Sequence, residues 1–495
     1  MAEWLDRLPL LSLLMLTLPV GVVLAWLWPR PQWARGIALA TALIDLLIAL
    51  AVVWRFDAGQ GGLQLVEQAD WIPGLNIQYL VGVDGLSVLF LPATVLLFIG
   101  VILASWNSVH QLPRLYYSLL LLLETTTLGI FCALDGMLFF LFWELSLVPL
   151  YFLVSLWGVG PNRRYAALKY TLVMLAGGVP LLFGFLLLAF NHAEMAGRLA
   201  FDLPTLLATP LPAGTEILVF LLLFLGFAVK TPVFPMHTWL PVIALEGPVA
   251  VVALLVGLKL GAYGLIRFAV PLAPGAAANL HWLLAGLGVV GILYGAVTAL
   301  AQTNLRRMLA YASLSHVGLV LLGIASFNSA GIQGAVLQLL NFTLVAGGLF
   351  LLTGALHHRI GSNDIHSLGG AARSMPRLAS FYLLFGLAGM GLPLTSGFPA
   401  EMLILVSALQ THTGAGLAAL FAMVIGAAYF LGLYRRAFFG PVTSPVVASA
   451  TDLRPREVAI LLVFALIILA VGLHPAAVLD LMRASAEAWI GRLAD

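Results

Sequence analysis

The sequence predicts an all-α integral membrane protein of about fourteen transmembrane helices. Three observations carry that expectation. The first is composition. Of 495 residues, 62% are hydrophobic and 9% charged, with a mean hydropathy of +1.06, whereas a soluble domain carries roughly 25% charge. The second is that apolar windows of roughly 20 residues, enough to cross a bilayer, recur almost end to end. The third is a one-sided distribution of basic residues over the connections between those windows.

Taken in order, the expected spans are 8–28, 36–54, 83–105, 114–134, 136–157, 166–190 and 214–237. They continue as 242–270, 281–301, 307–325, 330–356, 376–410, 414–434 and 457–481. The first lacks the basic n-region and cleavage site of a signal peptide, so it reads as a retained span. The longest connections are 55–82, 191–213, 357–375 and 435–456. No strand pattern is visible in them, and no Gly-rich loop that would cradle a phosphate. The net charge of +2 offers no nucleic-acid footprint, so no nucleic-acid partner is expected. A single cysteine, Cys132, excludes an all-cysteine iron–sulfur cluster, a zinc cage and an internal disulfide. No cofactor is expected in this chain. Membrane haem would need histidine pairs on facing helices, and only His316 is clearly at membrane depth.

With fourteen spans, Arg30, Arg35, Arg114, Arg163, Arg164, Lys169, Arg306 and Arg307 fall on one side. Arg359, Arg373, Arg377, Arg435, Arg436, Arg454 and Arg456 join them. The other side holds only Arg7, Arg55, Arg198, Arg267, Arg483 and Arg492. The positive-inside rule then makes the first set cytoplasmic and puts both termini outside. Twenty arginines against three lysines, with abundant Ala, Leu and Gly, suggest a GC-rich bacterial gene and hence the inner (cytoplasmic) membrane.

Two spans are interrupted by proline. One reads AVKTPVFPMHTWLP, with Pro232 and Pro235 after Lys230; the other reads GLPLTSGFPAEML, with Pro393 and Pro399 before Glu401. A broken helix frees backbone carbonyls, which is tolerated only where the break is buried in protein or lines a cavity. Paired breaks point to an internal-repeat transporter. Lys230 and Glu401 are 171 residues apart, and Glu144 and His316 are 172 apart. That spacing suggests two five-helix units, the second inverted because five is odd. The expected organisation is 1–110 for three N-terminal helices, 111–275 and 276–440 for the two repeats, and 441–495 for a last helix and tail.

Lys230 and Lys259 are the two lysines inside spans; the third, Lys169, lies in a connection. An ammonium at mid-bilayer costs on the order of 3 kcal/mol. Lysine, unlike arginine, can release its proton when desolvated. With Glu144, His316 and Glu401 they form a titratable series, with Glu144 expected to pair with Lys230. Glu124 is a possible sixth member, with a structural role for it equally open, and His237 lies near Lys230 or simply caps the break. Asp45 reads as a lone buried polar contact, Asp84 and Asp135 as interfacial, and His281 as wetted. An opposed Glu–Lys pair that opens and closes changes the proton affinity of its partners. That is the requirement for moving protons through an apolar bundle.

FWELSLVPLYFLVSLWG around Glu144, KTPVFPMHTWLP around Lys230, LKLGAYGLIRF around Lys259, SLSHVGL around His316 and GLPLTSGFPAE around Glu401 together resemble the antiporter-like subunits of respiratory complex I. WELSLVPLYF and the length are most similar to the chain M branch, and GVDGLSVLF around Asp84 also fits it. The resemblance runs from about residue 80 to 440 and extends to cation/proton antiporters and membrane-bound hydrogenases. It implies that Glu144 pairs with Lys230, that Lys259 and His316 continue a polar axis, and that Glu401 stands at the exit position. It also implies that energy comes from electron transfer in partner membrane subunits of a proton-pumping NADH:quinone oxidoreductase, while this chain touches neither NADH nor quinone. Three departures mark a divergent branch. Asn341 replaces a usual histidine, Val242, Ile243 and Ala244 replace Asp-Ala-His, and Pro399 and Ala400 replace Val-Gly. They keep open an ion-translocating subunit of a multisubunit antiporter or proton-driven uptake complex without redox chemistry. A structural paralogue is a third reading, resting on Asn341 alone. Membrane lipid and sister subunits are the expected neighbours of the flat outer helix faces.

Overall fold

A computed structural model describes residues 8–442 and 444–494. Arg7, counted above on the sparsely basic side, lies outside the described residues. The chain folds into a nearly all-helical bundle in which twelve helices among the described residues are long and apolar enough to cross a membrane. The helices that matter below are α1 (Leu10–Leu27), α2 (Ala34–Arg55), α3 (Phe90–Ala104), α4 (Pro113–Cys132), α5 (Gly136–Leu145), α6 (Leu147–Trp157) and α7 (Arg163–Ala196). They continue as α8 (Ala213–Lys230), α9 (Trp239–Glu246), α10 (Val249–Gly257), α11 (Leu260–Gly264), α12 (His281–Leu300) and α13 (Leu305–Ala325). The last are α14 (Ser329–Ile360), α15 (Pro376–Gly389), α16 (Gly397–Thr411), α17 (Thr413–Phe438), α18 (Pro455–Leu473) and α19 (Ala476–Ala494).

Several expected boundaries shift for local reasons. The span expected at 83–105 is the shorter α3, because Asp84–Leu89 is a turn in which the Asp84 carboxylate accepts from Leu86 N. The span expected at 376–410 is α15 and α16, divided at the second proline break. The last expected span, 457–481, ends at Leu473, and α19 starts beyond it. The connection 55–82, read as free of strands, contains an antiparallel hairpin of β1 (Gln64–Ile72) and β2 (Ile77–Val83). Its alternation is hidden because β1 is mostly exposed and carries Glu67 and Asp70, while β2 buries nearly continuous apolar residues against the bundle.

The hairpin, the start of α1 and α19 share one end of the bundle. Glu67 accepts from Leu11 N, the Ser485 hydroxyl accepts from Gly85 N, and the Trp489 indole donates to Ile266 O. Successive helices run up and down, so the larger basic set lies at the opposite end. There Arg35 donates to Trp106 O, Arg306 to Gly247 O and Arg359 to Glu457.

Asp84 and Asp135 are buried rather than interfacial. Asp84 binds Arg267 through both oxygens (2.6 and 2.7 Å), and Arg267 also donates to the Tyr263 hydroxyl. A buried bidentate pair of this kind satisfies both charges. Arg267 sits in a π-helical turn, Leu265–Ala269, whose Ile266 carbonyl is the one capped by Trp489. Asp135 caps α5 by accepting from Met137 N and Leu138 N, and takes Gln78 N from the hairpin. Burial raises the Asp135 carboxyl above its ordinary range, and the backbone amides oppose that shift. Asp45 is not alone. The fully buried Glu124 of α4 is its charged neighbour, and none of the four carboxyl oxygens has a hydrogen-bond partner.

Candidate functional site

The first proline break ends α8 at Lys230, and three of the carbonyls of its last turn find donors. Val233 N donates to Ala228 O (3.0 Å), the Trp239 indole to Val229 O (3.0 Å), and the Thr231 hydroxyl to Phe227 O (2.6 Å). This is the internal satisfaction that a break inside a membrane requires. Lys230 stands at the C-terminal end of its helix, where a cation is favoured by the helix dipole. Its Nζ donates to Ser146 Oγ (2.9 Å) and Trp143 O (3.3 Å) and lies 4.1 Å from the centre of the Trp143 ring.

The expected Glu144–Lys230 contact is not formed. Trp143 and Glu144 are successive residues of a helix, about 100° apart around its axis. Trp143 is buried under Lys230, so Glu144 turns to the half-buried side, and neither carboxylate oxygen has a hydrogen-bond partner. Its Oε1 lies where a Cβ on Gly178 of α7 would stand, so the glycine makes room for the carboxylate. Charge still couples the two residues across the intervening space.

Lys259 occupies a third break, which no proline announces. The helix expected over 242–270 is divided into α9, α10 and α11, with Leu258 and Lys259 as the non-helical residues between α10 and α11. The Gly257 carbonyl beside it accepts from the Thr343 hydroxyl at 3.3 Å. Lys259 Nζ is buried without a hydrogen-bond partner and lies 5.4 Å from the centre of the Phe342 ring. The imidazole of His316 on α13 is 5.7 Å from the same ring. Phe342 therefore touches both groups.

Two cavities flank this point. One, of about 30 Å³, is lined by Lys230, Ser146, Thr127 and Tyr170 and reaches Leu258 and Leu260, on either side of Lys259. The other, of about 20 Å³, is lined by His316, Glu401 and Tyr429 among others. Lys230 thus lines the first cavity and His316 and Glu401 the second, while Lys259 lines neither and lies near Phe342, as does His316.

Glu401 is buried in α16, just past the second break. Its Oε2 lies against Gly391, whose φ of +68° needs glycine and whose missing side chain leaves room for the carboxylate. Gln338 of α14 is its side-chain neighbour. One turn along, Asn341 donates to Gln338 Oε1 (3.5 Å) and accepts from the Ser396 hydroxyl at 2.6 Å. Asn341 is thus tied to the second break rather than set between two titratable groups. The prolines themselves contribute unevenly: Pro232, Pro235 and Pro393 lie in the breaks, whereas Pro399 lies inside the first turn of α16.

The remaining expected residues sit apart. His237 is buried, stacks on Phe234 (5.7 Å) and meets Tyr294 edge-on (5.2 Å). Glu124 faces Asp45 rather than the series. His281 is half-buried and meets His412 at 3.4 Å. Trp143, Ser146, Phe342, Gln338 and Gly391 are functional neighbours that sequence reasoning missed. Trp143 and Ser146 stood in the quoted WELS motif and Gly391 opened the quoted GLPLTSGFPAE, whereas Phe342 and Gln338 gave no local signal because their contacts arise between helices.

Residues 133–426 match the family model described as NADH:quinone oxidoreductase/Mrp antiporter, TM. Subunit M of the NADH-quinone oxidoreductase of Rhodobacter capsulatus is 36% identical, over 91% of this chain and 89% of that protein. Subunit M of the F(420)H(2) dehydrogenase of Methanosarcina mazei is 35% identical, over 97% of this chain and 98% of its own length. Among solved structures, a chain of respiratory complex I from Thermus thermophilus with bound NADH superposes with a TM-score of 0.89. It is 33% identical and covers 98% of this chain and 99% of its own.

Proposed function

The chain belongs to the NADH:quinone oxidoreductase/Mrp antiporter membrane-subunit family, and from that premise we propose that it is the proton-translocating, subunit M-like component of a complex I-type oxidoreductase. The observation that carries the proposal is Lys230 on one cavity and His316 and Glu401 on another, with His316 and buried Lys259 both near the Phe342 ring. Glu144 acts on Lys230 through charge rather than contact. A proton reaching Lys230 biases Lys259 towards release, His316 takes the proton past Phe342, and Glu401 receives it in the second cavity. Electron transfer in partner subunits drives the cycle. The relatives' names carry different donors, NADH and F(420)H(2), so the donor is a property of the partners.

The chain is a multi-pass membrane protein. Its bacterial relatives and the basic residues gathered opposite the hairpin support placement in the inner membrane, with hairpin and both termini periplasmic. The two-unit inverted organisation is part of this proposal, supported by the paired breaks.

Lys230→Ala tests the role. In vesicles carrying the assembled complex, electron transfer with protonophore present should persist while proton uptake falls at least roughly tenfold, the scale of removing a proton-transfer group. Parental pumping by that variant would remove Lys230 from the mechanism. Val242, Ile243, Ala244 and Asn341 favour a second reading, an ion translocator in an assembly without electron transfer. The subunit composition of the purified complex separates the two.

A further inference from the structure

Two histidines outside the series meet at the hairpin end of the bundle. His281 begins α12, and His412 is the single residue between α16 and α17. His281 Nδ1 and His412 Nε2 are 3.4 Å apart, and the rings stack with centroids 4.9 Å apart. His412 Nε2 also lies 3.1 Å from Ala325 O, at the end of α13. A carbonyl only accepts, so Nε2 of His412 carries the proton and His281 Nδ1 faces it as an acceptor. Both rings are half-buried, at the boundary between bundle and surroundings.

The helices that hold this pair are informative. α13 carries His316 and ends at Ala325; α16 carries Glu401 and runs straight into His412. Glu401 and His412 are eleven residues apart, about 16 Å at helical rise. On another face of α16, buried Ser407 donates to Asn328 at 2.9 Å, and Asn328 caps the start of α14. The two helices bearing the ionisable groups of the second cavity therefore converge on one pair of proton-exchanging rings at their shared end.

We propose that His281 and His412 form the outlet by which protons leaving Glu401 reach the hairpin side of the membrane. This rests on the proton-translocation reading above. A proton arriving at Nδ1 of His412 lets the Nε2 proton pass to Nδ1 of His281, and the Nε2 proton of His281 leaves to water. One proton enters, one leaves, and no bond between heavy atoms changes. A proton leaving Glu401 has about 16 Å of α16 to cross before it meets His412.

Glutamine suits the test, because its amide still donates to Ala325 O but cannot take up a proton. The double variant His281→Gln/His412→Gln, in the assembled complex in vesicles, should lower proton delivery on the hairpin side at least roughly tenfold. Electron transfer with protonophore present should stay at the parental rate. Zn2+ added on that side should slow the parent, since two imidazoles can hold the ion, and should leave the variant unaffected. Parental pumping by the variant, or Zn2+ inhibition that survives the substitutions, overturns the outlet. Glu401→Gln separates the layers. If it stops pumping while the histidine variant pumps fully, the outlet alone falls; if it pumps fully, the relay reading and the outlet fall together.

Discussion

The two proline breaks hold opposite charges at opposite helix ends. At the first, Lys230 is the last residue of α8, and its ammonium meets a ring face, a hydroxyl and a carbonyl. At the second, Glu401 lies just inside α16, beyond the break, facing a glycine and the amide of Gln338. A helix C-terminus favours the cation, so the sign of Lys230 agrees with its end, whereas Glu401 stands in the second turn of α16, past the first turn where an anion is favoured. Sequence spacing equated Lys230 with Glu401, but measured from the breaks they differ. Lys230 stands two residues before Pro232; two residues before Pro393 stands Gly391, the residue against which the Glu401 carboxylate rests. The carboxylate of Glu401 thus returns to the place in its break that Lys230 holds in the other. A buried charge can be supplied to a break from either arm of the broken helix.

The largest test of this contrast is Lys230→Glu. It places a carboxylate at a helix C-terminus over the negative face of Trp143, at a cost on the order of 3 kcal/mol. Proton pumping should be abolished and subunit retention in the purified complex reduced; a functional glutamate there would break the helix-end rule. Gly391→Ala comes next. A side chain at φ +68° that also overlaps Glu401 Oε2 should cost about 1–3 kcal/mol. The readouts are a lower unfolding temperature and slower pumping with electron transfer retained. Ser396→Ala is the mildest. Removing the 2.6 Å bond to Asn341 should cost about 0.5–1.5 kcal/mol and shift the unfolding temperature by a small amount. A loss of pumping as severe as that of Lys230→Ala would instead place Asn341 within the relay itself.

Much of the fold was legible because a bilayer imposes length and composition on every crossing segment. The membrane helices, the two proline breaks and the gathering of basic residues at one end all follow from one-dimensional rules. The hairpin escaped because β1 displays charge along its exposed face, so no alternation stands out. The break at Lys259 escaped because it has no proline; it is held by contacts from α14, including Thr343 to the Gly257 carbonyl. In the candidate site, the identities of Lys230, Lys259, His316 and Glu401 were readable from the cost of burying charge. Their partners were not. The expected Glu144–Lys230 contact failed because adjacent helix positions point about 100° apart, and Trp143 took the inward one. Asn341 looked like a gap in a relay until Ser396 proved to be its partner.

That this chain lives in a membrane, that Lys230, Lys259, His316 and Glu401 lie within it, and where proline divides helices could all be read along the chain, because hydration costs and missing amide protons are local properties. The tertiary structure decided which group faces which: Lys230 over Trp143, Phe342 between Lys259 and His316, Glu401 against Gly391, and His281 beside His412. Those pairings depend on helix rotation and crossing, which are settled by packing between residues hundreds of positions apart and leave no mark on either stretch of sequence alone.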